Sequence, residues 1–274
     1  MIKSKSYAKI NLGLEVIGER DDGYNNINSV ITKINLFDEI TLEIANKNSI
    51  NQDGILEKNN IIFKVINYMQ NNYISKNLKI SVKKNIPYSS GLGGGSSNAA
   101  TVIKLIDNMF NLNLDSKEIF DIGLLFGSDV PFFLGPNTAF VTGRGERLLF
   151  IPKPKIDNIL LIYPKMNLQN KTKTVFKNLS TFSNGNHQQE LIRKIKNHEI
   201  IFSSQFNGLE EAAFNSFSEL KEFKTKLMSL GLSNISMSGA GPTFYSILSK
   251  TETKIMKNKI ENITNANCYD LGLL

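Results

Sequence analysis

Cysteine is nearly absent: Cys268 is the single one. One thiol excludes an internal disulfide framework and a cysteine-cluster metal site, and it fits a reducing compartment. Histidine is almost as scarce. His187 and His198 lie in a polar stretch rich in Asn, Gln and Lys, and no His-x-x-x-His pair exists. A zincin-type site is thereby excluded, and a Ser-His-Asp hydrolase would have to recruit one of these two. Long apolar runs are also missing. No window approaches the ~18 consecutive apolar residues of a membrane span. The start, Met1 to Lys9, is basic but has no apolar segment after it, unlike a signal peptide. Nor is there a dense basic block, although 32 Lys+Arg exceed 25 Asp+Glu by 7. The nearest approach is Lys171, Lys173 and Lys177 among polar neighbours, so the excess reads as compositional rather than as a nucleic-acid stripe. The expectation is a soluble, cytoplasmic protein with no membrane and no nucleic-acid partner.

What is present is an ordinary globular composition over 274 residues, 41% hydrophobic and 21% charged. At roughly 150 residues per domain this is one large domain or two small ones. In the segment Lys9–Val16 the residues Ile10, Leu12, Leu14 and Val16 alternate with Lys9, Asn11, Gly13 and Glu15. A strand therefore puts Lys9 and Asn11 side by side on one face. Further strands are expected at Glu39–Ala45, Leu78–Lys83, Thr138–Val141 and Ile159–Tyr163. Helical spacing appears over Asn60–Met69, after the glycines near 91–95, from Asp115 (with Glu118 as capping-box partner) to about Gly127, and over Phe217–Leu230. Phe182–His198 reads as loop, then weakly helical. Ile235 onward reads as a Gly-interrupted strand region. The mixture indicates an α+β fold. Pro152 and Pro154 suggest a boundary, giving lobes 1–152 and 153–274.

Three segments carry chemistry. Pro87, Tyr88, Ser89, Ser90, Gly91, Leu92, Gly93, Gly94, Gly95, Ser96 and Ser97 place four glycines within five residues directly before an amphipathic helix. Bare backbone N–H groups and a helix N-terminus facing one concavity make a phosphate cradle. This is neither a Walker A loop nor Gly-x-Gly-x-x-Gly. Ser96 and Ser97 add hydroxyls for phosphate oxygens or a cation. The second segment is Asp129 before Val130, Pro131, Phe132 and Phe133. It is either a helix cap or a carboxylate in a partly apolar cleft, able to take a proton from a hydroxyl. The third runs Ser236 to Thr243 and includes Ser238, Gly239 and Gly241. Small residues there allow a close backbone approach, and a tight turn explains them equally well.

Together these stretches, with Ala8–Leu12 and Arg20–Tyr24, resemble the GHMP kinases, the superfamily of galactokinase, homoserine kinase and mevalonate kinase. The resemblance is strongest to the branch whose acceptor is 4-diphosphocytidyl-2-C-methyl-D-erythritol, and it runs in order from near residue 7 to near 245. It implies a two-lobed fold. The N-terminal lobe would be like domain 2 of ribosomal protein S5 and would bind ATP. The C-terminal lobe would be ferredoxin-like and bind the substrate, with both ligands in the cleft between. It implies transfer of the ATP γ-phosphoryl to the C2 hydroxyl of that cytidine diphosphate derivative, with Mg²⁺, in the non-mevalonate route to isoprenoid precursors, by a monomer or weak homodimer. Lys9 and Asp129 match the catalytic pair. Pro87–Ser97 match the ATP phosphate loop, and Asn60 and Lys84 match positions near the adenine. Asn11 would position the substrate, Tyr24 and Phe176 would stack on cytosine, and Thr172 would sit near the transferred group. Metal ligands are not assigned. Two positions depart from the pattern: Asn25 stands where the family has a cytosine-binding His, and Asn98 where it has Asp. An amide has both a donor and an acceptor and could still read a base edge. Asn25 also leaves room for a kinase of another small alcohol. A nucleic-acid-binding module is the alternative from another class, and it leaves the glycine loop and Asp129 unexplained.

Overall fold

The computed structural model describes residues 1–54, 60–202 and 206–274. They gather into two compact units. The first holds Met1–Ala8, Leu36–Tyr88 and Gly93–Pro136; the second holds Lys9–Asn35, Ser89–Leu92 and Asn137–Leu274. Two long strands, β1 (Ile2–Glu19) and β2 (Asn25–Ala45), run through both. The boundary expected near Ile151–Lys155 falls inside the second unit. Among the described residues no helix is long and apolar enough to cross a membrane.

In the first unit, β3 (Ser49–Asn51) pairs in parallel with β4 (Asn77–Lys83). The far half of β2 pairs antiparallel with β4, from Glu39 opposite Lys83 to Ala45 opposite Asn77. Four helices follow: α1 (Ile61–Asn72), α2 (Gly94–Phe110), α3 (Ser116–Phe126) and α4 (Val130–Leu134). α1 buries Ile62, Val65, Ile66 and Met69, one apolar stripe at helical spacing. α2 packs against α1, α3 and α4. It begins at Gly94, within the glycine run rather than after it. α3 starts on the expected capping box. The Asp115 carboxylate accepts from the amides of Lys117 and Glu118, both at 2.8 Å, and Glu118 accepts from the Asp115 amide at 3.1 Å.

In the second unit, the near half of β2 pairs antiparallel with β5 (Thr138–Thr142), and β5 pairs antiparallel with β6 (Arg147–Phe150). Beyond them β7 (Asn158–Pro164) leads through α5 (Lys171–Lys177), α6 (Asn186–Lys196), α7 (Glu210–Ser216) and α8 (Ser218–Ser229). β8 (Ile235–Met237), β9 (Phe244–Leu248), α9 (Lys250–Ile263) and β10 (Ala266–Leu271) complete it. The antiparallel sheet runs β10-β7-β9-β8. With a helix before β8 and another before β10, this is the ferredoxin-like βαββαβ arrangement that the resemblance implies. β7 lies at the centre and is buried on both faces through Ile159, Leu160, Leu161 and Ile162. Leu160 and Ile162 share a core with Leu14, Val16, Leu220, Leu227, Phe244 and Ile260.

Candidate active site

β1 sets the first group of side chains. Lys9 and Asn11 lie on one face as the alternation requires, and both are buried. The Lys9 ammonium donates to Asn11 Oδ1 at 2.7 Å. Asn11 Nδ2 donates to Ser29 Oγ at 2.8 Å, and Ser29 donates to the Gly13 carbonyl at 2.7 Å. This chain of bonds fixes the amide of Asn11, so the lysine meets an oxygen rather than an NH₂. Tyr245 also holds Asn11, donating to its carbonyl at 2.8 Å.

The two small-residue segments meet over this pair. The Lys9 amide donates to the Leu92 carbonyl at 3.0 Å, tying the first part of the glycine loop to β1. Ser238 Oγ donates to the Gly91 carbonyl at 3.2 Å, and the Thr243 amide donates to the Ser90 carbonyl at 3.4 Å. Gly91 sits at φ +82°, where a side chain would drive into the carbonyl oxygens of Ser238 and Gly241. A methyl group on Gly239 would stand 3.5 Å from Asn11 Oδ1 and 3.9 Å from Lys9 Nζ. Ser89, Ser90, Gly91, Leu92, Ser238, Gly239, Gly241, Lys9 and Asn11 thus form one cluster in the second unit. The tight turn of Ser238–Gly241 is real, with the Gly241 amide donating to the Ser238 carbonyl at 3.0 Å, and it also approaches another loop closely.

Sequence reasoning passed over one member of this cluster. Lys171, only 7% exposed, reaches from α5 to donate to the Ser89 carbonyl at 2.8 Å and to the Gly241 carbonyl. Burial, and secondarily the Lys9 charge, push its ammonium down to about 8. Carbonyl partners leave no mark in a sequence, which is why only the charge of Lys171 was visible there.

The same unit holds a cleft of about 760 Å³ lined by Tyr24, Asn25, Thr172 and Phe176, the four residues expected at the nucleoside and transferred group. The turn bearing Tyr24 is stapled by Arg20. Its guanidinium holds both Asp22 oxygens, and Asp22 accepts from the Tyr24 amide at 3.2 Å. Arg20 keeps the Asp22 carboxyl below its ordinary value. Arg144, also missed in the sequence, lies over the Tyr24 ring at 5.2 Å and lines the cleft with Lys173 and Lys177.

The first unit carries the rest of the glycine loop. Gly93 adopts the left-handed conformation (φ +69°) and gives α2 no side-chain cap, so no capping side chain satisfies its first amides. Ser97 and Asn98 are buried against Ser6, whose Oγ lies 2.8 Å from Ser97 Oγ and 2.7 Å from Asn98 Oδ1. Asn98 therefore anchors α2. Lys84 is held at 2.5 Å by the fully buried Asp38, whose other oxygen accepts from the amides of Asn85 and Ile86. That pins the ammonium 3.3 Å from where a Gly94 side chain would begin and 5.1 Å from the Tyr88 ring centre. Asn60 caps α1 by accepting from the Ile62 amide at 3.0 Å and donates to Gln52, which in turn donates to Tyr88. Asn60, Lys84, Tyr88 and Gly94 are thereby linked. Asp129 stands outside this chain of contacts. It precedes α4 but forms no side-chain cap bond, so of its two expected uses the cap is not realised by its carboxylate. Among the described residues no group of three His, Cys, Asp or Glu side chains is placed to hold a metal.

Glycine loops laid over a buried lysine, one of them leading into an uncapped helix, define a small-molecule kinase of the GHMP class. The families described as GHMP kinases N terminal domain and GHMP kinases C terminal match residues 60–135 and 189–265. A 4-diphosphocytidyl-2-C-methyl-D-erythritol kinase of Acetivibrio thermocellus is 36% identical over 255 residues, covering 90% of this chain and 89% of its own. The crystal structure of a 4-(cytidine 5'-diphospho)-2C-methyl-D-erythritol kinase superposes with a TM-score of 0.83 at 26% identity over 99% of both chains. A homoserine kinase from Cytophaga hutchinsonii shares the fold, with a TM-score of 0.71 at 16% identity over 100% of this chain and 97% of its own. The chain belongs to the 4-diphosphocytidyl-2-C-methyl-D-erythritol kinase family.

Proposed function

We propose that the protein transfers the γ-phosphoryl group of ATP to the C2 hydroxyl of 4-diphosphocytidyl-2-C-methyl-D-erythritol. The observation that carries this reading is the Lys9–Asn11 pair beneath Gly91 and Gly239, in the same unit as the cleft of Tyr24, Asn25, Thr172 and Phe176. The C2 oxygen bonds to the γ-phosphorus as the bridging β–γ P–O bond breaks and ADP departs. The hydroxyl proton passes to the Asp129 carboxylate. Lys9 favours the developing alkoxide by its charge, and Asn11 orients Lys9 and the substrate. Pro87–Ser97 hold the ATP phosphates, with the open amides of α2 as donors. Asn60 and Lys84 stand at the adenine side, with Tyr88 linked to both. Tyr24 and Phe176 stack on cytosine, Asn25 reads its edge, and Thr172 meets the transferred group.

Mg²⁺ belongs to this reading as a cation that would arrive with the phosphates and would supply charge neutralisation there. The donors present fit that mode. Ser97 is engaged by Ser6, so Ser96, half-buried on the first turn of α2, is the hydroxyl left to reach it. The lobes 1–152 and 153–274 would be the ATP and substrate lobes of a cytoplasmic monomer or weak homodimer.

Asn25 favours one second reading, a kinase of another small alcohol. An ATPase assay coupled to ADP release tests both, with 4-diphosphocytidyl-2-C-methyl-D-erythritol, mevalonate and homoserine as acceptors. Turnover with the cytidine derivative alone is expected. Preference for either of the others would overturn the assignment.

A further inference from the structure

We propose that Lys171 is a phosphate-binding residue: its ammonium, fixed by the Ser89 and Gly241 carbonyls, directs its remaining N–H to a phosphoryl oxygen held where the two glycine loops meet. An ammonium has three donors and no acceptor. Two of the three go to carbonyls from different loops, 82 and 70 residues away in sequence. Among the described residues no carboxylate forms an ion pair with Lys171, and the charged group that bears on it is another cation, Lys9. A buried charge is costly without a counter-charge, and a like charge nearby raises the cost. Carbonyl dipoles lessen it but do not neutralise it. A buried ammonium held by carbonyl dipoles alone is completed by an anion, and a phosphate is the anion suited to an ammonium beside bare glycine backbone. The fully buried Thr243 hydroxyl, in the same loop, has no hydrogen-bond partner among the described residues, so this region keeps polar capacity unused. A phosphate bound beside Lys171 would raise its lowered proton affinity again.

The inference rests on the kinase reading only for which phosphate arrives. The test is calorimetry at about pH 8.7 in two buffers of different ionisation enthalpy, using a non-hydrolysable ATP analogue, CDP, adenosine and cytidine. Binding of at least one phosphate-bearing ligand to the wild type is expected to take up protons, because Lys171 is part-deprotonated beforehand. Lys171→Met should weaken that ligand at least tenfold and abolish the uptake, while the parent nucleoside binds as before. Lys171→Arg, which keeps the charge, should retain most of the affinity. The ligand affected tells whether the phosphate is that of ATP or of the acceptor. A residue that only staples the loops would show no uptake and equal loss for nucleoside and nucleotide; that result would overturn the proposal. Sulfate, which does not titrate, separates it from the kinase reading. Thermal protection of the wild type by sulfate, lost in both Lys171→Met and Lys171→Gln, supports the anion site even if neither nucleotide binds. Equal protection of all three proteins counts against it.

Discussion

Lys9 and Asp129 differ in what their removal disturbs. Lys9 is buried and bonded to Asn11, whereas the Asp129 carboxylate caps nothing. Asp129→Asn should therefore leave urea unfolding unchanged and lower kcat by about 10²–10⁴-fold, the usual weight of a positioned acid or base. Lys9→Ala should cost similar activity and some stability, because Asn11 loses a donor. Near-normal turnover in either variant would remove that residue from the chemistry. Gly91→Ala meets a steric limit, since its methyl group would overlap the Ser238 carbonyl at a left-handed φ. A loss of about 1–3 kcal/mol by urea unfolding is expected, with weaker ATP binding. Lys171 carries a pH signature. Its folded value of about 8 lies below the ordinary 10.5, so between those values the unfolded chain binds more protons and stability rises with pH. Cys268 works the other way. Burial pushes its thiol up to about 12, so stability falls above the ordinary 9.0. Comparison with Lys171→Met isolates the lysine: wild-type stability relative to the variant should rise from about pH 8 to about pH 10.5. A flat difference in urea midpoints would mean the ammonium is not desolvated.

At the scale of elements, α3 joins a capping box to packing against α2 and α4. Only Ile122 and Gly123 are buried, while Asp115 satisfies two of its first amides. Asp115→Ala should cost about 0.5–2 kcal/mol by urea unfolding without altering the KM for ATP. A change in that KM would mean that α3 influences the phosphate loop. The same box made α3 legible in the sequence, as spacing did for α1 and alternation for Lys9 and Asn11. Other elements left weaker traces. The first residues of β2, Asn25 to Ser29, are polar but for Ile27, and pairing with β5 makes the strand continue through Ser29–Thr32. α5 is seven residues long with one buried apolar side chain, Val175, and is held by Lys171 instead. α9 interrupts the strand region expected from Ile235 onward; it starts on a Ser249–Glu252 capping box like that of α3 but buries only Thr253 and Ile260 among Lys and Asn residues. The cleft of Tyr24 and Phe176 was legible only through family resemblance, since these two walls come from segments more than a hundred residues apart.

For the whole molecule, the open matter is the net charge of +7. Several basic groups are already paired, such as Arg20 with Asp22, Lys83 with Glu39, Lys84 with Asp38, and Arg193 with Glu190 and Glu199. Binding a single strand requires a basic groove with aromatic rings in series, on which successive bases stack. Among the described residues cations do lie over rings, two pairs in each unit: Lys5 with Phe37 and Lys84 with Tyr88 in the first, Arg144 with Tyr24 and Lys224 with Phe214 in the second. Arg144 and Tyr24 line the cleft proposed for the nucleoside, and Lys84 and Tyr88 adjoin the glycine loop proposed for the ATP phosphates, so two of these four pairs fall to small-molecule binding on the proposed reading. What remains is diffuse charge, whose attraction for a polyanion decays over a Debye length of about 8 Å at about 0.15 M salt. Such attraction acts through counterion release and weakens steeply as salt rises. A gel shift with a single-stranded oligonucleotide should therefore show retention at low salt only, and none at about 0.15 M. ATP at a saturating level should displace little of the low-salt complex, because the charge responsible is spread outside the phosphate loop. A complex that persists at about 0.15 M salt and is released by ATP would locate the polyanion in the kinase site itself, and the excess charge would then be functional rather than compositional.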